Sequence, residues 1–178
     1  ISVSFAPDEK PHLIIGSLID AAHSRISVAM FTAKDVRWWE NNRETSLFEK
    51  LIAAHQRGVE VNVIIDHGIH EASEYYGIET EDDPIDEWLE STGVHVVRAD
   101  NKRSRYASMH HKFVVIDDEI TVTGAYNWYY DSAFLNDEDQ VVIRSPRISQ
   151  IFLGEFIDLL HRYDDKFDPN QWPQREVY

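Results

Sequence analysis

Apolar and polar positions along this chain switch repeatedly between two periods. Leu13, Ile14, Leu18, Ile19 and Ala22 recur at helical spacing and predict a helix from Pro11 to His23, after which Arg25 to Phe31 alternates as a strand. Leu47 to Arg57 is again helical and stops at Gly58, a residue favoured just past a helix C-terminus. Val59 to Ile65 follows as a strand, Pro84 to Ser91 as a short helix opened by proline, and Val94 to Val97 as another strand. Val114, Val115 and Ile116 read as a buried strand after Lys112. The polar turn Asp117-Asp118-Glu119 joins it to Ile120–Thr123, and Asp139 to Ile143 and a last helix from Pro146 to about Tyr163 complete the pattern. Such alternation predicts an α/β fold, a mixed β-sheet flanked by helices on both faces. No internal repeat or low-complexity stretch interrupts it.

The strand after Met109 carries the chemistry. Side chains on a strand alternate faces with period two, so His110 and Lys112 share a face and His111 takes the other. A hairpin closed at Gly124 then returns Asn127 to the end where His110 and Lys112 began. An imidazole, an ammonium and an amide are thereby placed where one phosphate could meet all three.

The pattern His110-x-Lys112, four residues, Asp117, six residues, Gly124-x-x-Asn127 resembles the HKD motif of the phospholipase D superfamily. The likeness runs from about Leu13 to about Tyr163 and is nearest the small single-motif bacterial nuclease branch. Leu18–Ala22, Arg25–Thr32, Arg57–Asp66 and Asn136–Ile143 carry it outside the motif. The family usually has Ser after the motif glycine, and Ala125 removes that hydroxyl as a donor to the phosphate. The resemblance implies a phospholipase D-like fold and phosphodiester hydrolysis that needs no cofactor and no metal.

One copy of the motif has a mechanistic consequence. Cleavage through a covalent intermediate needs a nucleophile on one side of phosphorus and an acid for the leaving oxygen on the other. One His110 cannot stand on both sides, so a symmetric homodimer with two copies of His110, Lys112 and Asn127 around one phosphate is the economical solution, as the resemblance also implies. One His110 would form a phosphohistidine while the other protonates the departing oxygen. The resemblance makes Glu138, in Asn136-Asp137-Glu138, the candidate to orient the imidazole. Asp117 joins the catalytic candidates through the motif, although its opposite strand parity favours fixing the fold near the site over direct chemistry.

Composition bounds the rest. The 178 residues, 43% hydrophobic with five Trp, eight Tyr and eight Phe, suit one domain over 1–178 with its core at about 11–165. No apolar run approaches the ~20 residues that span a bilayer, so no stable membrane insertion is expected. Without cysteine there is neither a disulfide nor a thiolate metal site. The chain opens on Ile1, which is expected of a piece processed or excised from a longer chain. The compartment stays open: cytoplasmic is favoured, with a periplasmic or secreted location the alternative if a signal peptide has been removed.

Charge complicates the choice of substrate. A formal net charge of −15 is a poor footprint for unspecific binding of a long polyanion. Acidic residues crowd Glu79 to Glu90, which suits a solvated face or one that repels duplex DNA. Lys102, Arg103 and Arg105 form a local basic cluster just upstream of His110, suited to steering a substrate phosphate or simply to a solvated loop. Trp38 and Trp39, in a segment from about Lys34 to Thr45, could pack on a neighbour, stack on bases or meet a lipid interface. His67, His70 and Glu71 lack a third ligand at metal-binding spacing and read as a rim loop. Three functions from different classes follow: a metal-independent nuclease acting on DNA or RNA, a phospholipase D-type lipid phosphodiesterase, and a weakly active dimerisation or binding module of a larger protein.

Overall fold

The computed structural model of the chain describes residues 1–67, 85–104, 107–170 and 172. In chain order the elements are β1 (Ser2–Ala6), α1 (Pro11–Asp20), β2 (Arg25–Met30), β3 (Arg37–Glu40), β4 (Arg43–Ser46), α2 (Leu47–Gln56) and β5 (Glu60–Asp66). They continue as α3 (Ile85–Ser91), β6 (His95–Ala99), β7 (Lys112–Ile116), β8 (Ile120–Gly124), α4 (Tyr130–Phe134), β9 (Glu138–Arg144) and α5 (Pro146–Tyr163). Local signals set several boundaries. Ser46 caps α2 by accepting the Glu49 N–H at 3.2 Å, and Ser145 caps α5, which has proline in its first turn.

Seven strands form one mixed sheet in the order β1-β9-β8-β7-β2-β5-β6, while β3 and β4 make a separate ribbon. β2, β5 and β6 run parallel, and β7, β8, β9 and β1 pair antiparallel. One row of the register, Val63, Val28, Val114, Val122 and Val142, belongs to the core beneath α1 and α2. The next row, Val97, Ile64, Ala29 and Phe113, faces the opposite way onto Leu153, Phe156, Leu159 and Leu160 of α5. Helices therefore cover both faces, as the alternation of periods predicts.

This topology creates a functional edge. Strand directions bring Asp66, Ala99 and Gly124, at the ends of β5, β6 and β8, to the same edge as Lys112 and Glu138, which begin β7 and β9. Phe31 follows β2 at that edge too.

Candidate active site

Residues Phe31 to Lys34 stitch the two halves of the site together. The Phe31 N–H donates to the His111 carbonyl at 2.8 Å, the Trp128 N–H to the Thr32 carbonyl at 3.0 Å, and the Lys34 N–H to the Trp128 carbonyl at 2.7 Å. The lead-in to β7 and the loop after β8 thus share one support. Asn127 is oriented by it: its Oδ1 accepts the Thr32 N–H at 3.2 Å, which uses the acceptor end of the amide and leaves the donor end for an anion. Gly124 makes the approach feasible. Its φ is +148°, and a Cβ there would strike the Asp139 carbonyl.

Lys112 Nζ lies 3.2 Å from His110 Nδ1 and donates to the His110 carbonyl at 3.1 Å. The Phe31 ring floors the pair, its centroid 4.1 Å from that of the imidazole and 4.8 Å from Lys112 Nζ. His111 turns the other way, with its ring 5.5 Å from Phe113 and Nε2 3.1 Å from Glu155 of α5. The two adjacent histidines thus turn opposite ways just ahead of β7, one onto Phe31 and the other onto Phe113. Burial, and then the Lys112 charge, hold the His110 pKa below its ordinary value, against an opposing pull from Asp66. Burial also lowers Lys112, with Glu138 opposing. Both shifts act against positive charge on this pair and so favour an imidazole with a free lone pair.

The remaining sequence candidates divide by position. Glu138 accepts from Ser132 Oγ at 2.9 Å and Asn136 Nδ2 at 3.4 Å and acts electrostatically on Lys112. Among the described residues no hydrogen bond joins it to His110. Asp117 sits at the opposite edge of the sheet. There it accepts the backbone N–H groups of His23, Ser24 and Arg25 at 3.1, 2.7 and 3.2 Å and the Ser24 hydroxyl at 2.9 Å. Its carboxylate ties the β7–β8 turn to the entry of β2, a strand length from His110 and Lys112. Lys102 and Arg103 occupy an exposed loop that leaves β6 at the functional edge; Lys102 pairs with Asp100 at 3.2 Å, and Asn101 Nδ2 closes the loop onto the Ser108 carbonyl at 3.2 Å. Arg105, His70, Glu71 and the acidic stretch as far as Asp83 lie outside the described residues. Among the described residues no three His, Asp or Glu side chains form a group that could hold a metal ion.

Two residues of the site escape sequence reasoning. Phe31 and Asp66 come from other strands, and the only hint is that each closes an apolar strand on the edge where β7 begins. The Asp66 carboxylate accepts the Met109 N–H at 2.6 Å, one residue before His110.

The chain is similar to known proteins over most of its length. Residues 15–160 match a family profile described as the cardiolipin synthase, PLD-like domain. A mitochondrial cardiolipin hydrolase of Xenopus tropicalis is 34% identical over 119 residues, covering 67% of this chain and 50% of that protein. The chain spans about half the length of the curated relatives it matches. Among solved structures, the phospholipase D family member Nuc from Salmonella typhimurium superposes with a TM-score of 0.73 at 21% identity, covering 94% of this chain and 97% of that one. NucT from Helicobacter pylori gives 0.70 at 16% identity, with 91% and 96% covered.

Proposed function

The chain belongs to the phospholipase D-like family, and on that premise we propose that it is a metal-independent phosphodiesterase, most favourably a nuclease, acting through a phosphohistidine on His110. The observation that carries this reading is the contact of 3.2 Å between His110 Nδ1 and Lys112 Nζ at the edge to which Asn127 is also held. An imidazole nitrogen of His110 attacks phosphorus, the bond to the leaving oxygen breaks, and that oxygen takes a proton from the partner's His110 across a twofold axis. Water, deprotonated by that second histidine, then displaces His110 and restores the enzyme. Lys112 and the Asn127 amide stabilise the nonbridging oxygens as charge builds. Histidine supplies nucleophile, acid and base alike, so the steps require no metal.

Nucleic acid is the favoured substrate because the loop with Lys102 and Arg103, to which the sequence adds Arg105, rises at the same edge as His110. The net charge of −15 narrows the choice away from long duplexes. A lipid phosphodiester is the second reading. It rests on Trp39, 74% exposed on the β3–β4 ribbon, and on the name of the cardiolipin hydrolase relative. The test incubates the purified chain in chelator with single-stranded DNA, duplex DNA, RNA, and cardiolipin or phosphatidylcholine vesicles, beside His110→Ala. Cleavage of nucleic acid that is lost in the variant supports the nuclease, headgroup release selects the lipid reading, and no turnover leaves a binding module.

A further inference from the structure

We propose that Asp66, at the end of β5, is the positioning residue for His110: its carboxylate clamps the backbone N–H of Met109, the residue before the histidine, and fixes a negative charge on the strand beside the imidazole. The inference rests on the reading of His110 as nucleophile and assigns it a support from a separate strand. Residues 107–111 lie between β6 and β7 and have no strand partner along their length. A side chain on such a segment needs its backbone held. The Ala107 N–H and the Ser108 carbonyl are tied within the loop, and the two bonds that flank His110 from other strands are the Phe31 N–H to the His111 carbonyl at 2.8 Å and the Met109 N–H to Asp66 Oδ2 at 2.6 Å. Asp66 itself is only 3% exposed, and Met109 is buried with it. A buried carboxylate bonded to a backbone N–H is a fixed, charge-assisted anchor.

Position decides between the two acids of the region. Glu138 is bonded to Ser132 and Asn136 and works on Lys112, whereas Asp66 holds the main chain that presents the imidazole. The groups acting on His110 are Lys112, at the start of β7, and the adjacent His111, both favouring the neutral ring, and Asp66 from β5, favouring the charged one. Asp66 therefore keeps the imidazole basic enough to take a proton from water, in opposition to the lysine that the phosphate requires.

Asp66→Asn separates the two contributions, because the amide oxygen still accepts the Met109 N–H while the charge is gone. Asp66→Ala removes both. The test follows the His110 imidazole in the full chain by NMR titration, assigned with His110→Ala, and measures hydrolysis of bis(4-nitrophenyl) phosphate in chelator against pH. In Asp66→Asn the titration midpoint falls by about half a pH unit or more. The acid limb of kcat/KM moves down with it, and kcat drops severalfold with KM little changed. Asp66→Ala loses at least about tenfold more in kcat, as expected when a reacting group is no longer held in place. An unchanged His110 midpoint in folded Asp66→Asn overturns the proposal. A shifted midpoint in a chain that hydrolyses no phosphodiester supports the coupling and counts against the phosphodiesterase reading alone.

Discussion

His110 holds a proton less readily than free imidazole because of desolvation by its neighbours and, after that, the Lys112 charge it faces. Its neutral, nucleophilic form therefore persists below the ordinary midpoint of ~6.5, and the acid limb of kcat/KM is expected on the acid side of that value. In Lys112→Met the limb moves back toward neutrality while kcat falls by about 10²-fold or more, a pairing that a pH–rate series resolves. His110→Ala loses at least about 10³-fold with an unchanged fold, read from activity beside circular dichroism. At this scale the sequence discloses much: a period of two is enough to separate His110 from His111. It does not disclose Phe31 or Asp66, because nothing local marks the residues that neighbouring strands bring to an edge.

Two elements show how the surroundings hold that edge. Helix α1 and the β3–β4 ribbon meet through His12 and Trp38, whose ring centroids are 5.1 Å apart, with Phe134 of α4 on the other side of His12 at 5.4 Å. Burial, helped by Lys10, depresses the His12 pKa to about 4. The unfolded chain takes up this proton near ~6.5, so the folded state loses stability as pH falls from there to about 4, by about 3 kcal/mol. His12→Phe is expected to flatten that part of the melting-temperature profile. Trp38→Ala, in the same contact, costs about 3 kcal/mol in denaturant melts, against under about 0.5 kcal/mol for exposed Trp39→Ala. Asp117→Ala removes four bonds to the entry of β2 and costs about 2 kcal/mol or more at neutral pH. Because the folded Asp117 pKa lies below 3.8, that stabilisation is present above pH 3.8 and disappears as pH falls through the lower folded value. The long periodic elements are legible in the sequence, whereas β1 is not. Its Val3 and Phe5 face solvent while Ser4 and Ala6 face inward, the reverse of what an amphipathic pattern signals. The ribbon is equally hidden, since four-residue strands rich in charge present no period to read.

At the scale of the whole molecule, one motif per chain makes the second histidine the decisive requirement. A dimer is expected at micromolar concentration, seen as twice the chain mass in sedimentation. Mixing wild type with equal His110→Ala, with exchange of subunits, leaves about a quarter of the activity if both histidines are needed, where independent sites would leave half. Fold class and the covering of both sheet faces follow from the alternation of periods. Substrate choice does not, because the basic loop and the overall acidity pull in opposite directions and both lie outside the motif. What sets the proposed mechanism apart is the covalent step on His110. Its most direct measurement is mass spectrometry of the chain quenched in alkaline denaturant during turnover of bis(4-nitrophenyl) phosphate in chelator. A nitrophenyl phosphoryl adduct is expected on the His110 peptide of wild type and is absent from His110→Ala. Steady turnover with no adduct at any quench time, or turnover that appears only when magnesium is added, would contradict it.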